Sequence, residues 1–169
     1  MILVTGGAGF IGSNIAAALA EQAVAVAVCD RLRNGDKWRN VAKLELRDVV
    51  APEGLLPWLD AHQAEVEAIV HMGAISSTTE SNVDLIVETN FRLSCALWNW
   101  CATHHKRLLY ASSAATYGAG EHGFDDDASP EALSKLRPLN AYGWSKHLFD
   151  MAVAERAARG ERLPPRWAG

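Results

Sequence analysis

Ile2-Leu-Val-Thr5 runs directly into Gly6-Gly7-Ala8-Gly9-Phe10-Ile11-Gly12, and Phe10 to Glu21 continues with Ala16, Ala17, Ala18, Leu19 and Ala20. A four-residue apolar run ended by glycines predicts a buried strand. The alanine-rich stretch predicts a helix, because alanine gives up the least freedom there. Between them Gly7, Gly9 and Gly12 satisfy G-x-G-x-x-G, and Gly6, Gly9 and Gly12 satisfy the looser G-x-x-G-x-x-G. Either pattern alone is weak; the strand before it and the helix after it give it meaning. Glycines permit a tight turn and let backbone N–H groups approach a pyrophosphate, and the helix start adds free N–H groups and a positive dipole end. A dinucleotide-binding turn is expected, the alternative being a turn with only a structural role. Ser13 follows Gly12 and no Gly-Lys-Ser/Thr is present, which excludes a P-loop.

Working outward, strand-like and helix-like segments alternate. Strands are expected at Val24–Cys29, Lys43–Val49 (weaker), Val66–His71 and Arg107–Ala111, and helices at 54–63, 84–104 and 142–159. Alternation of this kind predicts an α/β fold, a Rossmann-type doubly wound parallel sheet. Gly118 to Asn140 is expected to be an irregular surface loop, and its Asp125-Asp126-Asp127 run a solvated one, since adjacent acids project poorly toward a single ion.

The 169 residues suit one domain or little more. At 49% hydrophobic and 21% charged the chain is too apolar for intrinsic disorder. Its net charge of −4 argues against nucleic acid as a partner. Cys29, Cys95 and Cys101 form no C-x-x-C pair and are expected to be reduced thiols in a cytoplasm. Glu21 and Gln22 interrupt the longest apolar stretch, so no membrane span is expected, and Met1 leads straight into a strand with no room for a targeting peptide. The histidines show no metal-ligand spacing, and no metal is expected. Trp98 and Trp100 cannot share a helix face, which points to one of them at an interface.

Asp30 ends the second strand 18 residues after Gly12, where an acid accepts hydrogen bonds from an adenosine ribose. Arg31 follows and Lys37 lies in the same loop, and cations there suit a 2′-phosphate. The acid favours NAD and the cations favour NADP; the expectation is NADP with NAD tolerated. Tyr142-Gly-Trp-Ser-Lys146 is Y-x-x-x-K, which puts phenol and ammonium on one helix face. A cation beside a phenol stabilises phenolate, which can then remove a hydroxyl proton as hydride leaves the same carbon. The fifth strand ends in Tyr110-Ala-Ser112-Ser113, and ligands bind outside the carboxyl ends of such strands. Glycine turn, serine-rich strand end and Y-x-x-x-K come in the order a single site needs.

With these motifs the chain resembles the extended short-chain dehydrogenase/reductases. The strings His71-Met-Gly-Ala-Ile-Ser-Ser-Thr-Thr-Glu80, Leu109 to Gly118 and Pro138 to Asp150 narrow the resemblance to the ADP-heptose 6-epimerases among them. It implies Tyr142 as catalytic acid/base, Lys146 as its partner and a cofactor ligand, and Ser113 as the substrate-orienting hydroxyl. Phe10 and Ile11 would lie along the pyrophosphate, Asp30, Arg31 and Lys37 at the adenosine end and Asp48 near the adenine. Met72, Gly73, Ala74 and Ser76 would line the cofactor, with Asn90 bracing that region. Ser76 to Thr79 would border the sugar or, alternatively, cap the helix near Asp84.

The implied reaction is epimerisation at C6 of ADP-heptose: hydride leaves to bound NADP and returns to the other face, providing heptose for the lipopolysaccharide core. The resemblance implies homo-oligomers and a longer chain. Residues 1–169 are thus expected to be an NAD(P)-binding Rossmann domain truncated at its C-terminal end, with the C-terminal substrate domain missing and no epimerase activity alone. A UDP-hexose 4-epimerase-like enzyme and a non-catalytic NAD(P)-binding module remain open, as does a structural role for the two long helices. A resemblance to the 4,6-dehydratases of the same family would call for Asp-Glu where Ala114 and Ala115 stand.

Overall fold

The computed structural model describes residues 1–165. They form two compact units: Met1–Gly73 with Thr103–Tyr110, and Ala74–Ala102 with Ala111–Leu163.

The first unit carries the sheet. Strands β1 (Ile2–Thr5), β2 (Val26–Cys29), β3 (Asp48–Val50), β4 (Ala68–His71) and β5 (Arg107–Tyr110) are all parallel, in the order β3-β2-β1-β4-β5. This is the doubly wound order expected from the alternation. β2 and β4 are buried at every position, as their unbroken apolar runs require, and β1 at all but Ile2. β5 alternates, with Arg107 and Leu109 exposed. Register sets Thr5 beside both Cys29 and His71, so the carboxyl ends of the three central strands finish level. The chain steps outward from β1 to β2 and β3, then returns to β4 on the other side of β1, so the topological switch lies between β1 and β4. Helix α1 (Phe10–Glu21) packs Ala16 into a core of Val4, Val26, Val28 and Val70. Helix α2 (Leu55–Ala61) buries Leu55 and Leu59.

The third strand departs from expectation. It begins at Asp48, not Lys43, because Leu44 and Leu46 pack on the core from a turn in which Leu46 N–H donates to the Leu44 carbonyl. Arg47 N–H then bonds the Val26 carbonyl at 2.8 Å, and only there does pairing start.

In the second unit the expected 84–104 helix is continuous but not uniform. It runs as α3 (Val83–Ile86), a π-helical turn at Val87–Arg92, and α4 (Leu93–His104), whose last two residues belong to the first unit. Asn82 caps α3 by accepting from Leu85 N–H, so the Ser76 to Thr79 run is not its cap. The 118–140 loop holds a short helix, α5 (Pro130–Leu133), where an irregular loop was expected. Ser129 caps it and Pro130 fits its first turn, where no amide hydrogen is needed. Helix α6 (Ala141–Ala158) follows, and its Phe149 meets Trp98 edge-on. Trp98 and Trp100 are both buried within the chain, and neither is an exposed interface residue. Trp167 lies outside the described residues. No helix among the described residues is long and apolar enough to cross a membrane.

Candidate functional site

The glycine turn is built by close approach. Gly6 takes φ +64°, and a Cβ on Gly12 would stand 2.2 Å from the Gly6 carbonyl oxygen, so no side chain fits there. The turn closes through Gly9 N–H to Gly6 O at 2.9 Å. Gly9 then precedes α1 in extended conformation, with no side-chain cap and no acid in the first turn. The first amides of α1 are therefore open to an anion. Phe10 and Ile11, at that end, are 85% and 58% exposed despite being apolar.

Beside the turn, Asp30 follows β2 with its side chain only 8% exposed. Its Oδ2 accepts from Ala8 N–H at 3.0 Å and its Oδ1 from Lys37 Nζ at 2.6 Å. Arg31 instead pairs with Glu53 at 2.7 Å. Asn40, which sequence reasoning passed over, donates to the Ala8 carbonyl at 2.9 Å and clamps the turn from the far side of the loop. Asp48 opens β3 and accepts from Trp58 Nε1 and from Val49 N–H, both at 2.7 Å.

At the end of β4, Met72 N–H reaches the Thr5 carbonyl at 3.2 Å, and Gly73 N–H donates to Thr5 Oγ1 at 3.0 Å. The same hydroxyl lies 2.6 Å from His71 Nδ1. This buried contact, also absent from the sequence reading, fixes where the chain leaves the sheet. The glycine turn, Asp30, Arg31, Lys37, Met72 and Gly73 all belong to the first unit.

The second unit gathers the remaining residues. Asn90, fully buried in the π-helical turn, accepts from Ile75 N–H at 2.8 Å and donates to the Ile75 carbonyl at 3.0 Å. This holds the segment containing Ala74 and the exposed Ser76. Asn90 also donates to Ser145 Oγ at 3.0 Å, and Ser145 donates to the Tyr142 carbonyl at 2.7 Å. A π-turn widens the helix by one residue, which turns a side chain out of the regular repeat.

Tyr142 and Lys146 stand one turn apart on α6, whose start Asn140 caps by accepting from Gly143 N–H at 2.8 Å. A Cβ on Gly143 would lie 2.6 Å from the Ala115 carbonyl, so glycine lets α6 close on the 114–117 turn. Ser113 heads that turn and accepts from Ala115 N–H at 3.2 Å. That bond uses an oxygen lone pair and leaves the Ser113 proton for another acceptor.

Lys146 is 1% exposed, and its Nζ donates to the Ala111 carbonyl at 2.7 Å. Burial pushes its pKa down to about 8, opposed by Asp150. Asp150 lies one further turn along α6, and Ser112 Oγ donates to its Oδ2 at 2.5 Å. Burial pushes Asp150 up to about 6, against the Ser112 bond and the Lys146 charge. The sequence signal for Asp150 was its spacing four residues beyond Lys146.

A five-stranded parallel sheet with an uncapped helix start at its switch point defines a Rossmann-like α/β protein. The chain belongs to the NAD dependent epimerase/dehydratase family, whose profile matches residues 2–165. It is 45% identical over 172 residues to the ADP-L-glycero-D-manno-heptose-6-epimerase of Fusobacterium nucleatum, covering 100% of this chain and 51% of that protein. It is 42% identical over 160 residues to the protein of the same name from Nitratidesulfovibrio vulgaris, covering 89% and 47%.

Among solved structures, Helicobacter pylori ADP-L-glycero-D-manno-heptose-6-epimerase matches with a TM-score of 0.73 and 30% identity, covering 92% of this chain and 50% of that one. The UDP-glucose 4-epimerase of Thermotoga maritima, solved with UDP-glucose, matches at 0.71 and 26%, covering 96% and 52%. The chain spans about half the length of the curated relatives it matches.

Proposed function

We propose that residues 1–169 are the NAD(P)-binding Rossmann domain of an ADP-heptose 6-epimerase, a nucleotide-sugar isomerase serving lipopolysaccharide core heptose synthesis. The observation that carries this reading is the buried Lys146, held by the Ala111 carbonyl one helical turn from Tyr142. The glycine turn fits a nicotinamide dinucleotide, since the space a Cβ would fill at Gly12 is closed and the α1 amides carry no cap.

Gly6, Gly9, Phe10, Ile11 and Gly12 would hold the pyrophosphate. Asp30, Arg31 and Lys37 would hold the adenosine end, with Asp48 nearer the adenine. Met72, Gly73, Ala74, Ser76 and Asn90 would form the wall beyond β4. When bound, the cofactor supplies hydride removal and return at C6. Tyr142 moves the proton of the C6 hydroxyl, and Lys146 supplies positive charge beside that phenol and binds the cofactor ribose. Ser113 donates to the substrate oxygen.

NADP is the preferred cofactor in this reading, with NAD accepted. Lys37 neutralises Asp30, which removes the repulsion an isolated carboxylate would exert on a 2′-phosphate. Arg31 can exchange the exposed Glu53 for the same phosphate.

The relatives' remaining half has no counterpart in the matched stretch, so the test is a chimera. Residues 1–165 joined to the C-terminal half of the Fusobacterium protein should interconvert the C6 epimers of ADP-heptose, and Tyr142→Phe should abolish this. Turnover of UDP-galactose with none of ADP-heptose would instead favour the 4-epimerase reading, which the Thermotoga likeness supports.

A further inference from the structure

Tyr142, Lys146 and Asp150 recur every fourth residue and so lie along one face of α6. The proposed function uses the first two and leaves the third without a role. Asp150 is nevertheless a mostly covered carboxylate, and burying a charge is costly unless something nearby repays it. The same is true of Lys146, whose ammonium sits at 1% exposure with a neutral carbonyl as hydrogen-bond acceptor.

We propose that Asp150 is a positioning residue for Lys146: pinned by the Ser112 hydroxyl, its carboxylate is the counter-charge that keeps the buried ammonium protonated beside Tyr142. The part of this that concerns Tyr142 rests on the functional reading above; the coupling of Asp150 to Lys146 does not.

Three observations support it. The Ser112 hydroxyl has one proton and spends it on Asp150 Oδ2, a bond that favours the ionised carboxylate and fixes its direction. Asp150 stands one turn beyond Lys146 on the same face of α6, where opposite charges favour each other's ionised form. The charged groups on the elements packed against α6 are paired among themselves or exposed. Glu88 and Arg92 of the π-turn pair with each other, and Glu131 of α5 pairs with Lys135. Asp84 of α3 is exposed, Tyr117 of the 114–117 turn directs its hydroxyl to the Asp125 carbonyl, and Arg137 acts on His147.

The test follows the ionisation of Lys146 itself, by NMR of the chain carrying 13C,15N-lysine. The other lysines are Lys37, Lys43, Lys106 and Lys135, and Lys146→Met assigns the signal. The wild-type midpoint is expected near 8. Asp150→Asn, which keeps an acceptor for Ser112 but removes the charge, should lower it by about one pH unit, a tenfold larger neutral fraction at fixed pH. Asp150→Glu should restore it.

An unchanged midpoint in Asp150→Asn overturns the proposal, since a carboxylate with only a packing role would leave Lys146 untouched. If Asp150→Asn does not fold, Asp150→Ser decides: it removes the carboxylate with a smaller side chain and should lower the Lys146 midpoint likewise, and no shift again overturns it. NADP⁺ binding is measured on the same samples. A Lys146 shift without any nucleotide binding would uphold the pair and reject the functional reading.

Discussion

Asn90 donates to Ser145 Oγ at 3.0 Å, and the Ser145 hydroxyl in turn donates to the Tyr142 carbonyl at 2.7 Å. One buried amide thus ties the segment at Ile75 to the first turn of α6. Asn90→Ala removes three bonds and leaves Ile75 N–H and C=O short of partners. It should lower the unfolding free energy by about 3 kcal/mol, whereas Ser145→Ala should cost only about 1 kcal/mol. Urea unfolding of the two variants measures both.

Asp150 makes stability depend on pH with a defined sign. The folded chain takes up this proton at about 6 and the unfolded chain near 3.8, so the folded state binds more protons in between. Stability therefore falls as pH rises from about 4 to 6, and the penalty stays above that. Lys146 acts at the other end: its folded value is about 8 against an ordinary 10.5, so stability rises again as pH climbs through that window. Asp150→Asn should remove the fall between pH 4 and 6 and gain up to about 3 kcal/mol at pH 7. Thermal melts of both proteins across pH 4–7 are the check.

Gly143→Ala places a methyl group 2.6 Å from the Ala115 carbonyl oxygen, a backbone atom that cannot step aside alone. The start of α6 must move off the 114–117 turn. A loss of about 2 kcal/mol is expected, in the range of overpacked sites. Calorimetric melting should show it as a lowered Tm.

Lys37→Ala separates the two nucleotides. It removes a cation proposed for the 2′-phosphate and frees Asp30 to repel it. NADP⁺ affinity should drop by about tenfold or more, while NAD⁺ affinity changes little. Fluorescence titration with each nucleotide measures the ratio.

Much of the fold was legible because its signals are local. β1, β2 and β4 are continuous apolar runs, and Gly6 to Gly12 mark where β1 hands over to α1. Leu44 and Leu46 misled the reading of β3, since a turn can aim two leucines at a core as well as a strand can. The π-turn at Val87–Arg92 left no trace in the apolar spacing, which it shifts by only one residue. That Tyr142 and Lys146 share a helix face was legible from their spacing. The partners that surround them were not, because Ser112 meets Asp150 across 38 residues and Asn90 meets Ser145 across 55. Contacts of that range depend on tertiary packing, which local pattern does not encode.

On the proposed function, the glycine turn of this chain holds a nicotinamide dinucleotide. Isothermal titration calorimetry of the 169-residue protein with NADP⁺ and NAD⁺, beside Gly12→Val, tests it most directly. One saturable site, tighter for NADP⁺ and lost in Gly12→Val, is the predicted result. No binding of either nucleotide by the folded chain, or equal binding by Gly12→Val, would contradict it.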